Sequence, residues 1–134
     1  MDKNKGFTLI ELMLVVVIIG ALAAMVMPRL TGRGEQARTA AAKADIEANI
    51  ATGLKLYELD NGEFPPTSDG LAALLTKPAS ATNWRGPYLE KKAIDPWARE
   101  YKYKSPGEHR TSDYDLYSLG KDGVESDDDV VNWQ

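Results

Sequence analysis

The chain has 134 residues and a formal net charge of −4 at pH 7, from 16 Lys and Arg against 20 Asp and Glu. Its length suits one small domain plus an anchor, and a mildly acidic chain without a basic patch is not expected to bind nucleic acid. Cysteine is absent, which excludes disulfides, a thiol nucleophile and a Cys-ligated zinc site.

An apolar segment comes first in the chain. In residues 7–27 the only ionisable side chain is that of Glu11, and a helix of this length, at about 1.5 Å per residue, approaches the thickness of a bilayer core. Lys3 and Lys5 precede the segment, which predicts a cytoplasmic N-terminus and a body outside the membrane. A secretory signal peptide cleaved near residues 21–23 and a plain single-span anchor are alternatives, but neither accounts for Glu11.

Glu11 has two possible roles. A carboxylate within an apolar span is costly unless it is paired, and by default it marks a functional position. The spacing Thr8-x-x-Glu11 also fits a capping box, in which the carboxylate only satisfies free N–H groups at the start of a helix. The residues alone leave both interpretations open.

The run Lys5-Gly6-Phe7-Thr8-Leu9-Ile10-Glu11, followed by an apolar helix, resembles the prepilin signature of type IV pilins and type II secretion pseudopilins. The resemblance implies that residues 1–6 are a leader peptide, cleaved after Gly6, and that a prepilin peptidase then N-methylates Phe7. It also implies that Glu11 pairs with the Phe7 amine of a neighbouring subunit. An unpaired carboxylate would be costly in a dry filament core, so this pairing would select the assembly register.

Pro28 follows the apolar segment and lacks an N–H group, so it can end, kink or open a helix. The simplest interpretation is that it ends the membrane helix. In filaments of the resembled family the segment between the matching Gly and Pro tends to unwind, and we expect the same of residues 20–28 on assembly. Residues 7–34 are thus predicted to form the membrane and filament-core helix.

Residues 35–134 are predicted to form a periplasmic globular domain that begins with an amphipathic helix over residues 35–59. Apolar residues recur there at spacings of four, four, four and three, which is one helical face: Ala42, Ile46, Ile50, Leu54 and Tyr57. Gly62 suits the left-handed conformation that ends a helix.

Shorter elements follow this helix. Residues 71–75 are predicted as a short helix, and residues 100–104 and 114–119 as two strands joined by a loop with Pro106-Gly107. The predicted fold class is therefore α+β. It is a type IV pilin-like fold in which a long N-terminal helix packs on a small antiparallel sheet, with a C-terminal acidic loop.

The body motifs are similar to those of the major (G-type) pseudopilin over essentially the whole chain: Trp84-Arg85-Gly86-Pro87-Tyr88, Asp95-Pro96-Trp97, Leu119-Gly120-x-Asp122-Gly123 and Asn132-Trp133. This resemblance implies a structural subunit that polymerises into the periplasmic pseudopilus of a type II secretion system and drives export of folded proteins across the outer membrane. The implied partners are other copies of the chain, minor pseudopilins, an inner-membrane assembly platform, the prepilin peptidase and, before assembly, the inner membrane. A type IV pilus subunit for adhesion or motility and a membrane-tethered extracellular binding module are the alternatives.

Residues 121–134 carry one Lys against five acidic residues and so account for the net charge. Such a run is most simply a solvated face. Yet Val130, Val131 and Trp133 look buried, and a loop of like charges pinned before an apolar end repels itself unless a hard cation relieves it.

The G-type resemblance implies that this cation is Ca²⁺. The family's ligand positions match the side chains of Asp122, Asp127 and Asp129, and carbonyls could come from three further residues: Leu119, Val124 and Ser126. The loop is shorter here than in many family members. A bound ion would order it and take the place of the missing disulfide.

Catalytic residues are not evident. His109 is the only histidine, and it falls in a turn-like loop where we expect it to be solvated. Trp84, Trp97 and Trp133 are expected to fill the core rather than to stack on a sugar. The sequence therefore predicts a protein that is not an enzyme.

Overall fold

The computed structural model describes residues 6–134, and of residues 28–31 it describes the main chain only. Lys3, Lys5 and most of the predicted leader lie outside the described residues. Two units are distinguished, one that ends at Ala37 and a compact one over Arg38–Gln134. The predicted boundary after residue 34 stays a prediction.

The first element, α1, is a helix over Leu9–Ala44. It includes both Gly20 and Pro28, so in the single chain Pro28 does not end the helix. A proline inside a helix loses one hydrogen bond and clashes with the preceding turn, at a cost of roughly 3 kcal/mol. The unwinding of residues 20–28 stays a prediction about the filament.

The helix continues through a π-helical segment, Asp45–Asn49, into α2, Ile50–Asn61. This π-segment explains the spacing of the apolar stripe. In a regular α-helix, side chains spaced four residues apart move about 40° around the helix axis at each step, or about 120° over three steps. A π-turn is wider and takes up one extra residue. It therefore keeps the side chains of the stripe near one face. All five stripe residues are consequently buried, with at most 2% exposed: Ala42, Ile46, Ile50, Leu54 and Tyr57.

The end of α2 is formed as predicted. Gly62 has a φ of 88°, and its N–H donates to the Glu58 carbonyl at 2.7 Å. A short 3₁₀ helix over Gly70–Leu74 stands where residues 71–75 were predicted to be helical.

The sheet has three antiparallel strands in the order β1-β2-β3: Lys102–Lys104, Asp115–Ser118 and Val130–Val131. Tyr103 lies opposite Leu116, and Ser118 lies opposite Val130. The first two strands confirm the prediction with tighter bounds. The third was not predicted as a strand, because two residues are too few to show an alternating pattern.

The core lies between the helical stripe, the 3₁₀ helix and the sheet. Its other buried apolar members include Leu74, Tyr101, Tyr114 and Leu116, and Trp84 and Trp97 pack against them. The Tyr101 hydroxyl donates to Asp45 at 2.9 Å. The predicted α+β fold, a long helix with a small antiparallel sheet, is therefore confirmed.

Candidate functional site

The N-terminal motif forms a capping box at the start of α1. The Thr8 N–H and hydroxyl each donate to Glu11 Oε2 at 2.8 Å, and the Glu11 N–H donates to Thr8 Oγ1 at 3.3 Å. Gly6 and Phe7 precede the helix, and Phe7 is 84% exposed. In the single chain, Glu11 therefore acts as a helix cap. The cap uses one of its two carboxylate oxygens.

The apolar part of α1 is fully exposed in the single chain. Its large apolar side chains from Leu9 to Met27 are between 49% and 78% exposed, and the helix is long and apolar enough to cross a membrane. An apolar surface of this extent is not stable in water. It needs lipid or other subunits as its surroundings.

The second candidate site is the acidic loop, which we define as residues 119–129, between β2 and β3. Two left-handed glycines turn the chain, Gly120 with a φ of 61° and Gly123 with a φ of 74°. The Gly123 N–H donates to the Leu119 carbonyl at 3.2 Å, and the Asp129 N–H donates to the Ser126 carbonyl at 3.3 Å. The loop is thus folded back on itself by two internal turns.

Three carboxylates converge in this loop. Asp122, Asp128 and Asp129 each offer an oxygen, and these oxygens lie within 4.8 Å of one another. The Ser126 hydroxyl lies within hydrogen-bond distance of both Asp122 and Asp128 and can donate to either one. Asp129 Oδ1 is buried and, among the described residues, has no hydrogen-bond partner.

The electrostatics of Asp129 match this crowding. Burial, together with the negative charges of Asp128 and Asp122, raises the pKa of the Asp129 carboxyl above its ordinary value. A buried, unpaired carboxylate oxygen beside two others costs free energy unless a cation or proton compensates it. Three close carboxylates suit a hard cation that binds through oxygen, such as Ca²⁺.

The predicted ligands are only partly brought together. Asp122 and Asp129 belong to the cluster, but Asp127 is exposed and lies outside it, and Asp128 takes its place. Consecutive residues point in different directions, so only some of residues 127–129 can face one centre. Three main-chain carbonyls were predicted as further ligands. Those of Leu119 and Ser126 accept the hydrogen bonds that close the two turns, and Val124 is 60% exposed.

Two residues outside the acidic loop, Arg99 and His109, make contacts that were not predicted from the sequence. Arg99 donates from Nη1 to the Gly120 carbonyl at 2.7 Å and from Nη2 to the Lys121 carbonyl at 3.4 Å. His109 is paired with the buried Asp115 at 3.1 Å and stacks on Trp133 with ring centroids 4.0 Å apart. The expectation that His109 is merely solvated was wrong, because Asp115 and Trp133 both contact its ring.

Comparisons with known proteins agree over the whole chain. Residues 29–133 match the family described as type II secretion system (T2SS), protein G, and residues 1–27 match the prokaryotic N-terminal methylation motif. A relative from Pseudomonas aeruginosa, named type II secretion system core protein G, is 47% identical over 139 residues, which cover 98% of this chain and 96% of the relative. A relative of the same name from Vibrio cholerae is 44% identical, with 99% of this chain and 94% of the relative covered.

A solved structure is similar as well. The crystal structure of the major pseudopilin from the type 2 secretion system of enterohaemorrhagic Escherichia coli shares 34% sequence identity and a TM-score of 0.69 with this chain. The match covers 78% of this chain and 89% of that one. The sequence motif, the body and the full-length relatives lead to one conclusion: the chain belongs to the type II secretion system protein G family.

Proposed function

We propose that this protein is a structural subunit that polymerises into the periplasmic pseudopilus of a type II secretion system. The observation that carries the proposal is the coincidence, on one chain, of a methylation motif over residues 1–27 and a protein G body over residues 29–133. The family is structural, so the chain is not an enzyme. Its contribution to export is mechanical, by growth of a filament.

The exposed apolar helix supports a route from the membrane into the filament. Before assembly, lipid covers the apolar side chains of residues 9–27, with the N-terminus in the cytoplasm and the body in the periplasm. After assembly, helices of neighbouring copies cover them instead. Subunit addition would occur at an inner-membrane platform that a cytoplasmic ATPase drives, and minor pseudopilins would be further partners.

Processing after Gly6 supplies the assembly group. Cleavage by a prepilin peptidase creates an α-amino cation on Phe7, which is then N-methylated. A Cβ at Gly6 would meet nothing within 4 Å, so the fold of the chain does not itself require glycine there. A block to cleavage in Gly6→Val, seen as a retained leader by mass spectrometry of the intact chain, would therefore reflect recognition by the peptidase.

The assembly role of Glu11 can be separated from its capping role. The cap occupies Oε2, which leaves Oε1 for the Phe7 amine of a neighbour. Glu11→Ala removes both functions, whereas Thr8→Val removes only the side-chain half of the cap. The full chain, expressed in a host that lacks its own protein G, is assayed for filaments and for folded exoprotein in the medium.

We expect Glu11→Ala to abolish filaments and secretion and Thr8→Val to retain most of both. Normal assembly of Glu11→Ala would refute the pairing, and equal loss in the two variants would mean that the cap alone matters. If deletion of the wild-type gene abolished surface filaments but left export intact, the protein would be a pilus subunit instead.

We also propose that Ca²⁺ binds in the acidic loop, held by Asp122, Asp128 and Asp129. The buried, unpartnered Oδ1 of Asp129 is the supporting observation. The ion would neutralise three mutually repelling carboxylates and so stabilise the connection between β2 and β3. At a Ca²⁺ concentration of about 100 times Kd, binding to the folded state alone contributes roughly 2.7 kcal/mol.

The test is thermal unfolding of the full chain in detergent, with Ca²⁺ or with a chelator, followed by near-ultraviolet circular dichroism. We expect Ca²⁺ to raise the midpoint by several degrees in the wild type and to have no effect on Asp122→Ala. Asp127→Ala removes the same charge outside the cluster and should keep the full Ca²⁺ effect. An equal Ca²⁺ response in all three proteins would rule out this ligand set.

A further inference from the structure

Arg99 closes a tight turn whose main-chain groups are held by a buried carboxylate. Asp95 is 4% exposed, and its Oδ1 accepts hydrogen bonds from the N–H groups of Trp97 at 3.0 Å and Arg99 at 2.8 Å. The Asp95 N–H donates to the Arg99 carbonyl at 2.7 Å. Ala98 has a φ of 64°, a conformation that is uncommon without glycine. The main chain of Arg99 is therefore fixed.

The same carboxylate reaches the start of the acidic loop. Asp95 Oδ2 accepts a hydrogen bond from the buried Ser118 hydroxyl at 2.6 Å, and Ser118 Oγ accepts one from the Gly120 N–H at 3.2 Å. The Arg99 guanidinium donates to the carbonyl of that same Gly120 at 2.7 Å. Gly120 is thus held at both its N–H and its carbonyl by a network that begins at Asp95.

The guanidinium also packs against the far end of the first turn. A Cβ at Gly123 would lie 2.6 Å from Arg99 Cζ, so the side chain lies directly against the main chain of Gly123. The hydrogen bonds of the guanidinium go to the carbonyls of Gly120 and Lys121. Arg99 therefore orders the turn that contains Asp122 without occupying the carboxylates of the cluster.

We propose that Arg99 is a positioning residue that orders the turn of residues 120–123 and thereby prepares the carboxylate cluster for its cation. The part that concerns the cation rests on the Ca²⁺ site proposed above. A planar guanidinium presents several donors in a rigid fork and can bridge two carbonyls. Because the turn is ordered in advance, less conformational entropy is lost when the ion binds, which raises affinity.

The experiment compares the full chain in detergent with Arg99→Gln, Arg99→Lys and the control Arg85→Gln, which removes an exposed arginine charge. Ca²⁺ affinity is measured by isothermal titration and by the dependence of the unfolding midpoint on Ca²⁺ concentration. We expect Arg99→Gln to weaken Ca²⁺ binding about tenfold. Arg99→Lys should weaken it nearly as much, since an ammonium group lacks the rigid fork of donors of a guanidinium. Arg85→Gln should bind as the wild type does.

A merely structural role would lower the unfolding midpoint equally with and without Ca²⁺ and leave Kd unchanged, and that result would overturn the proposal. Tighter binding by Arg99→Gln would overturn it as well, because the guanidinium would then repel the ion. Preorganisation instead predicts a larger loss of stability at saturating Ca²⁺ than in chelator, because the bound form requires the ordered turn.

A second measurement separates this proposal from that of the ion. Amide hydrogen exchange at Gly123, whose N–H donates to the Leu119 carbonyl, is followed in chelator. We expect exchange to be several-fold faster in Arg99→Gln than in the wild type, and an unchanged rate would overturn the ordering role. Absence of Ca²⁺ binding by the wild type would refute the ion site, while the exchange data would still decide the role of Arg99.

Discussion

Asp115 is the buried charge whose removal tests the stability of the body most directly. It begins β2 and is 3% exposed. Its Oδ2 accepts the main-chain N–H groups of Glu108 at 2.7 Å and His109 at 2.9 Å, and its Oδ1 accepts that of Arg110 at 2.9 Å. The substitution Asp115→Asn keeps the size of the side chain but replaces one acceptor oxygen with a donor.

The expected loss follows from these bonds. If the amide oxygen takes the Oδ2 position, the amide group faces the Arg110 N–H, which is left unsatisfied at a cost of about 1–3 kcal/mol. The two remaining bonds change from charge-assisted to neutral, which costs roughly 1 kcal/mol each. The total of about 3–5 kcal/mol should lower the unfolding midpoint of a body of this size by at least about 12 °C.

The pH dependence gives a second, independent check. Burial alone would raise the pKa of the Asp115 carboxyl, but the N–H groups of His109 and Arg110 outweigh it and hold the pKa below its ordinary value of 3.8. A carboxyl with a lowered folded pKa stabilises the protein above its unfolded pKa, and this contribution is lost as the pH falls through the folded pKa. The difference between wild type and Asp115→Asn should therefore be largest near neutral pH and shrink below pH 3.8.

Thermal unfolding of the full chain in detergent, followed by near-ultraviolet circular dichroism, measures both effects. Glu108→Gln is the matched control, because it removes a carboxylate from the same loop. The Glu108 side chain is 68% exposed and pairs with Lys104 on the surface. This substitution should leave the midpoint nearly unchanged. A midpoint for Asp115→Asn within a few degrees of the wild type, or a difference that is equal at pH 3 and pH 7, would refute the reasoning.

Three further substitutions test the packing. Leu54→Ala should destabilise the body by about 3 kcal/mol, since its fully buried side chain leaves a cavity, whereas Leu59→Ala, at a side chain 79% exposed, should not. Asn132→Ala should lower the free energy of unfolding by about 2 kcal/mol, because the side-chain amide of Asn132 forms hydrogen bonds with two main-chain groups at β2. Gly107→Ala should cost about 2 kcal/mol, since a Cβ there lies 2.4 Å from Asp115 Oδ1. Urea unfolding measures each, and full stability of Leu54→Ala, Asn132→Ala or Gly107→Ala would contradict the contacts described for that residue.

The elements with long periodic signals were predictable. The apolar stripe from Ala42 to Tyr57 predicted the buried helical face. Its repeated spacing of four residues also indicated the π-segment, but a regular helix was predicted instead. Gly62 marked the helix end correctly. β3 was missed because Val130–Val131 is too short for a period, and its pairing with β2 is a tertiary contact that local sequence does not encode.

Site chemistry was predictable to the level of residue type but not of individual side chains. The acid run together with the G-type resemblance predicted a cation site, which stays a prediction, and Asp128 rather than Asp127 lies with the other carboxylates. Which of three consecutive aspartates turns inward depends on the backbone of the loop, and that backbone is held by residues far away in sequence. Arg99 is one of them, separated from Gly120 by 21 positions, and nothing in its neighbourhood of the sequence distinguishes it from an exposed arginine.

The acidic loop is therefore held at its start by Arg99, while a cation at its carboxylate cluster stays a proposal. The Arg99 guanidinium is part of the chain and donates to two carbonyls of the loop, so this contact needs no bound ion. The carboxylate cluster is left uncompensated at Asp129 Oδ1, so its stability depends on the ions around it. If Ca²⁺ binds at the cluster as proposed above, the body should remain folded without the ion, because Arg99 fixes the turn of residues 120–123. It should tighten its C-terminal strand only where Ca²⁺ is present.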